Sequence, residues 1–215
     1  MAMAMSTGLV VGEDGRARCP WAASAPEYLA YHDDEWGRPV AGDETVYEHL
    51  CLEGFQAGLS WLTILRKREG FRRAFASFDP TVVATFGEAE IARLVDDARI
   101  VRHRAKITAA VTNARATLAL WDRGGSLAAL VWQFTPSGPP APRHAGEVPS
   151  STPESTALSA ALRRHGFAFV GPTTVYSAMQ SLGVVNDHLV GCHVRTSVES
   201  ARRALDPSTE SGPRA

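Results

Sequence analysis

Four residues near the two ends of the chain are of the types that hold a metal. Cys19 and His32 lie 13 positions apart, and His188 and Cys192 lie four apart. On a helix, residues i and i+4 share a face, so the second pair predicts two ligands pointing the same way. Two such pairs give a Cys2His2 set, tetrahedral and suited to one structural Zn²⁺, with no position left for water. A buried cysteine and ordinary helix histidines explain the same spacing. His193 competes as a ligand, although on a helix it points about 100° away from Cys192. Cys51, between Leu50 and Leu52, reads as core.

A second feature suits an anion. An amphipathic helix carrying Leu158, Ala161 and Leu162 is predicted to stop at Gly166, and a second, carrying Val175, Met179 and Leu182, to stop at Gly183. Between them, Gly171 leaves backbone N–H groups open, Pro172 fits a first helical turn, and Thr173 or Thr174 adds a hydroxyl. Free N–H groups and the helix dipole make such a start a phosphate site. A plain turn between helices has the same residues.

The third feature is aromatic. Trp21, Tyr28, Tyr31 and Trp36 crowd the first segment, Trp61 follows Gly58-Leu59-Ser60, and Glu53 sits in an apolar stripe with Leu50 and Ala57. Aromatic clusters form core, and a lone Glu in a stripe can mark a helix edge. A buried carboxylate needs a partner, however, and Trp and Tyr faces attract cations. A positively charged purine satisfies every part of such a pocket.

The elements that position these residues read as helices. A helix is predicted from near Asp43, with Val46, Leu50, Glu53 and Ala57 on one stripe; Ile91, Leu94, Val95 and Ala98, then Ile107, Val111, Ala114 and Leu118, repeat the rhythm. Ser60 and Asp79-Pro80 are predicted helix starts. The best strand candidate, Phe167 to Val170, is too short to found a sheet, and the class is all-α. Residues 1–17 read as a flexible leader, 18–195 as the helical domain and 196–215 as a flexible tail. Thr135 to Pro153, with six prolines and two glycines, is predicted to wrap the surface.

Composition sets outer bounds. The 215 residues, 45% hydrophobic and 21% charged, suit one soluble globular domain with appendages. No apolar run approaches the roughly 18–20 residues of a membrane span, and the start lacks the basic region of a secretory signal. Three cysteines cannot all pair, so a reducing, cytoplasmic setting is expected. The net charge of −1 neither demands nor forbids nucleic acid, yet basic residues cluster at Arg66 to Arg73, Arg99 to Lys106 and Arg163-Arg164. Only Lys67 and Lys106 are lysines, and both are expected on solvated or phosphate-facing surfaces.

Seven stretches carry a resemblance: Arg18-Cys-Pro-Trp21, Tyr31-His-Asp-Asp-Glu-Trp-Gly37, Cys51-Leu-Glu-Gly54, Gln56-Ala-Gly-Leu-Ser-Trp61, Ile100-Val-Arg-His-Arg104, Gly166-Phe-Ala-Phe-Val-Gly171 and Val185-Asn-Asp-His188. Over about residues 18–194 the chain resembles the DNA-3-methyladenine glycosylase I family, alkylation-repair enzymes of bacteria. The resemblance implies an all-α member of the helix-hairpin-helix glycosylase superfamily, with Cys19, His32, His188 and Cys192 holding a zinc that joins the two ends of the domain. It implies a base pocket of Glu53, Tyr31 and Trp61 with Trp21, Tyr28 and Trp36 around it. Gly58 and Leu59 would enter the duplex, and the hairpin at Gly171 and Thr173 would hold backbone phosphate. Many superfamily members place a catalytic aspartate after the hairpin; the nearest position here reads as Asn186, with Asp187 one residue on.

The function so implied is hydrolysis of the N-glycosidic bond of 3-methyladenine in double-stranded alkylated DNA, by a monomer that stops at the abasic site. The expected base reader is Glu53. Strand cleavage needs an amine at the hairpin helix, where this chain has Pro172-Thr173-Thr174. Two rivals remain: a non-catalytic, zinc-containing DNA-damage-binding protein, and a metallohydrolase of small purines, which would need an open metal position.

Overall fold

A computed structural model describes residues 8–205, apart from Pro139 and Pro140. Among them, a hairpin of β1 (Val10–Val11) and β2 (Ala17–Arg18) precedes ten α-helices: α1 (Pro26–Ala30), α2 (Asp43–Gln56), α3 (Trp61–Ala74), α4 (Pro80–Val83), α5 (Glu88–Val95), α6 (Arg104–Trp121), α7 (Leu127–Trp132), α8 (Pro153–Arg164), α9 (Pro172–Ser181) and α10 (Arg195–Ala204). The all-α expectation holds. Asp43, Ser60 and Asp79-Pro80 start helices as expected; Ser60 Oγ accepts from Thr63 N, and Asp79 from Thr81 N.

The centre of the molecule is α2. From Val46 to Phe55 nearly every residue is buried, because α3, α6, α7 and α9 surround it. Asp43 in its first turn also ties down α7, accepting from Leu127 N, Ala128 N and Ser126 Oγ at 2.9, 2.8 and 2.6 Å. At the other end Lys106 of α6 is buried, and its Nζ donates to the carbonyls of Phe55 and Ala57 at 2.9 and 2.5 Å. This corrects its expected surface placement: a cation at a helix C-terminus meets carbonyls with no partner within the helix.

The expected helix, short connection and helix are α8 and α9. The connection is not a strand. Asn113 of α6 grips it from both sides, accepting from Ala168 N at 2.7 Å and donating to Ala168 O at 3.1 Å. Ser159 donates to Val170 O at 2.6 Å, and Phe169 takes a left-handed φ of 56°. After α9 the chain turns at Gly183, with φ 73°, where a Cβ would lie 2.5 Å from the carbonyl oxygen of Gly37. Only glycine permits this approach, which brings the segment after α9 against the segment before α2.

The chain ends differ from the expectation. Residues 8–17, read as part of a flexible leader, include β1 and most of the hairpin, with Val10 opposite Arg18 and Val11 opposite Ala17. Arg18 is buried and anchors it, making two bonds to Asp14 at 2.8 and 2.6 Å and three to Asp33. Residues 195–204, read largely as tail, form α10: Val198 is fully buried, and Arg202 donates to the carbonyls of Gly183 and Val184. The remainder of both segments, residues 1–7 and 206–215, lies outside the described residues. Cys19, Leu189, Cys192, Val194 and Val198 form a second small core from the two chain ends.

Candidate active site

Tyr31 and His32 are neighbours in a π-helical turn, Tyr31–Glu35, and serve two compartments. Tyr31 lines a cavity, while His32 belongs to a cluster of buried sulfur and nitrogen atoms.

In that cluster the ligand atoms of Cys19, His32, His188 and Cys192 all lie within 4.8 Å of one another. His188 Nδ1 is 3.2 Å from His32 Nε2, 3.7 Å from Cys192 Sγ and 3.9 Å from Cys19 Sγ; Cys192 Sγ is 3.5 Å from His32 Nε2. Zn–N near 2.05 Å and Zn–S near 2.3 Å at tetrahedral angles require about 3.4 Å between nitrogens and about 3.6 Å from sulfur to nitrogen. The donor set fits that ion. The outward ring nitrogens are also bound, His32 Nδ1 to Asp33 Oδ1 at 2.7 Å and His188 Nε2 to the Trp36 carbonyl at 3.0 Å, which turns the other nitrogen of each ring inward. Contact with Cys192 and burial push the Cys19 thiol up, whereas contact with Cys19 outweighs burial to favour the Cys192 thiolate.

The helical reading of His188 to Cys192 was incorrect. These residues lie in an irregular turn, and the segment instead wraps around the cluster. His193 does not join the four; its Nε2 meets Asp33 Oδ1 at 3.0 Å. Burial opposes ionisation of Asp33, but bonds from Arg18, His32 and His193 outweigh it and hold the carboxyl well below the usual range.

Beside the cluster is a cavity of about 540 Å³, within the range of small-ligand sites. All six residues expected in a base pocket line it: Glu53, Tyr31, Trp61, Trp21, Tyr28 and Trp36. Trp21 packs edge-on against Tyr28 and Trp36 at 5.5 and 5.1 Å, and Tyr31 is 5.6 Å from Trp61. Cys19 and Leu189 also line it, so the cluster and the cavity share a wall. Glu53, on the buried face of α2, is 5% exposed. Burial pushes its carboxyl up to about 8, opposed by the nearby Ser181 hydroxyl. Tyr31 is held well above its ordinary value by burial and then by the nearby Glu53 charge.

Polar groups in this wall lack protein partners. Among the described residues, Trp61 Nε1 and Asp187 Oδ1 find no hydrogen-bond partner, although both are buried. The other oxygen of Asp187 accepts from Tyr176 Oη and Gln180 Nε2, both at 2.7 Å, which fixes its orientation. Asn186 faces the opposite way: its Nδ2 donates to Arg195 O at 3.1 Å and Glu199 Oε2 at 3.3 Å. The residue facing the cavity is therefore Asp187, one position beyond the one singled out. Ala145 and Val148 also reach it, so the Pro-rich segment adds to the wall as well as crossing the surface. Gly58 has a left-handed φ of 80°, Leu59 is 41% exposed, Thr173 is exposed, and Gly171 caps α9.

DNA-3-methyladenine glycosylase 1 of Escherichia coli (strain K12) is 49% identical to this chain over 177 residues, 81% of this chain and 95% of that protein. DNA-3-methyladenine glycosylase of Haemophilus influenzae (strain Rd) is 44% identical over 185 residues, 84% and 98% of the two chains. A structure describing 3-methyladenine recognition by the Staphylococcus aureus 3-methyladenine DNA glycosylase I has a TM-score of 0.78 at 36% identity, covering 83% of this chain and 96% of that one. The family model described as methyladenine glycosylase matches residues 21–196, and the chain belongs to that family.

Proposed function

We propose that this protein is a DNA repair glycosylase that flips 3-methyladenine out of alkylated duplex DNA and hydrolyses its N-glycosidic bond. The observation that carries the reading is a buried carboxyl, Glu53, in a cavity walled by five aromatic rings. Methylation at N3 makes the nucleotide's base cationic and a ready leaving group. The C1′–N9 bond breaks with its electron pair going to the base, and water adds to C1′ with loss of a proton. The enzyme's share is access and discrimination, since a damaged base is cheaper to unstack.

Each wall has a part in this reading. Tyr31, Trp61, Trp21, Tyr28 and Trp36 give π faces to a flat cation, and Glu53 accepts from the base's edge. Trp61 Nε1 offers a donor whose partner is the base. Asp187 offers its free oxygen to positive charge developing at the sugar, the task that Asn186, turned to α10, cannot perform. Gly58 and Leu59 fill the gap in the duplex; Gly171 and Thr173, at the hairpin of a helix-hairpin-helix unit, hold backbone phosphate through the first N–H groups of α9. Cys19, His32, His188 and Cys192 would hold one structural Zn²⁺, which supplies folding energy and no activated water, because four protein ligands close the site.

No lysine lines the cavity. Lys106 Nζ is taken by two carbonyls and Lys67 Nζ donates to Ala98 O at 2.7 Å, so neither is placed to form a Schiff base. The product is an intact strand with an abasic site. Among the described residues no helix is long and apolar enough to cross a membrane; an enzyme acting on DNA would work in the cytoplasm, and we take it to act as a monomer. Chromatography of bases freed from methylated DNA tests the reading: release of 3-methyladenine is expected. Tight binding of such DNA with no base released would favour the damage-binding alternative instead.

A further inference from the structure

Two exposed segments of the molecule are tied to one helix. Lys106 and Asn113 lie seven positions apart on α6, which is two turns and a rise of about 10 Å, so their side chains leave the same face. Both are buried, and both direct their polar atoms to the backbone of another segment. Lys106 Nζ donates to the carbonyls of Phe55 and Ala57, where α2 ends and the chain enters Gly58-Leu59. Asn113 holds Ala168 through both its N–H and its carbonyl, in the connection that leads to Gly171 and the start of α9.

The first segment is a closed turn. Leu59 N donates to Gln56 O at 2.7 Å, Gln56 Nε2 donates to Leu59 O at 3.2 Å, and Gly58 has the left-handed φ that the turn requires. Residues Ala57 to Ser60 are exposed, and the bond from Lys106 to the Ala57 carbonyl joins the turn to α6. The second segment is exposed at Phe169, whose left-handed φ is unfavourable for any residue but glycine. It is kept there by the Asn113 bonds on one side and the Ser159 bond to Val170 O on the other. Lys106, Asn113, Gly54 and Phe169 line one crevice, so the two anchored segments adjoin. Neither Lys106 nor Asn113 lines the base cavity.

Resting on the reading of Gly58-Leu59 as the element that fills the duplex and of Gly171 as the one that holds phosphate, we propose that Lys106 and Asn113 are positioning residues. Through them α6 sets the separation between the two elements, so that the turn enters the stack at the nucleotide whose backbone the hairpin grips. A duplex holds its phosphates and its base stack at a fixed distance, and engaging both at once gains affinity when the spacing is set beforehand. A lysine suits the first anchor because carbonyls at a helix C-terminus lack partners within the helix. An amide suits the second because it donates and accepts at once.

The test uses the full chain and three readouts, each taken well below the melting temperature of the preparation. These are affinity for a duplex carrying a tetrahydrofuran abasic-site analogue, affinity for free 3-methyladenine, and single-turnover excision from methylated duplex DNA. Lys106→Met keeps the stem and loses the ammonium; Ala57 is exposed, so water takes its freed carbonyl and the fold survives. Abasic-duplex affinity and excision should both fall on the order of 10-fold, with affinity for free 3-methyladenine unchanged. Asn113→Leu should act in the same direction, and Lys106→Arg, with donors for both carbonyls, should recover part of the loss. Because either change frees the same spacing, the double variant should lose little more than the worse single one. Wild-type duplex affinity and excision in Lys106→Met would overturn the proposal. An equal loss for the free base, a loss that tracks the unfolded fraction, or losses that multiply in the double variant would overturn it too. A wild-type chain that neither releases base nor prefers the abasic duplex to an undamaged one would instead overturn the reading beneath the proposal, and the proposal with it.

Discussion

The cluster of Cys19, His32, His188 and Cys192 and the cavity beside it are built from adjacent residues, yet they treat polar atoms in opposite ways. In the cluster both histidines have their outward nitrogens bound, Cys19 Sγ accepts from Leu189 N at 3.3 Å, and all four residues are buried. In the cavity, Trp61 Nε1 and Asp187 Oδ1 have no partner among the described residues, and Glu53 resists ionisation. An unpaired buried polar group destabilises a fold by about 1–3 kcal/mol, and two of the three such groups among the described residues, those of Trp61 and Asp187, lie at this cavity, the third being Asn186 Oδ1. The satisfied region holds the two chain ends together; the unsatisfied region is the one proposed to read the base.

Loss of the metal should have the largest effect. With Zn²⁺ bound at about one per chain, Cys192→Ser or chelation should remove several kcal/mol of stability and lower Tm by about 10 °C or more. Metal analysis checks the stoichiometry, and a fully folded preparation with far less than one zinc would break the comparison on the structural side. On the reading side, Asp187→Asn keeps the bonds to Tyr176 and Gln180 within reach but removes the carboxylate proposed to face the sugar. Excision should fall on the order of 100-fold with little change in binding of free 3-methyladenine. An equal loss in both would move Asp187 from the sugar to the base.

Glu53 should leave a mark on stability. Its folded value of about 8 lies above the ordinary 4.5, so the native state keeps a proton that the unfolded chain releases between these values. The associated stability is fully present below about 4.5 and is lost as pH rises through about 8, at roughly 1.4 kcal/mol per unit between them. Glu53→Gln should flatten that fall in denaturant melts, and an unchanged slope would mean the carboxyl is solvated. The smallest effect expected is that of Trp61→Phe. It keeps a ring but deletes the indole donor, and should weaken binding of free 3-methyladenine about fivefold without lowering Tm.

What the sequence disclosed follows from where the information is local. Asp43, Ser60 and Asp79-Pro80 mark helix starts because capping involves neighbours within one turn, and the aromatic set of the cavity was legible through its motifs. The misses are long-range. α10 buries Val198 alone, so it has no apolar stripe to detect. Lys106 finds its carbonyls 49 and 51 positions away, and His49 finds Ser181 at 132. Whether Asn186 or Asp187 faces the cavity depends on the turn after Gly183, which α10 holds by Arg202 and Glu199. His188 and Cys192 keep a four-residue spacing that a helix would explain, but a turn wrapped around the cluster supplies it.

The division of labour between the two regions is tested most directly by excision and melting measured together on Glu53→Gln and His188→Ala. The expected result is a crossed pattern: Glu53→Gln melts at or above the wild-type temperature and loses most excision, while His188→Ala loses zinc and melts far lower but retains excision per folded molecule. The opposite pattern, with Glu53→Gln active and His188→Ala folded but inactive, would place the chemistry at the metal cluster and contradict the account.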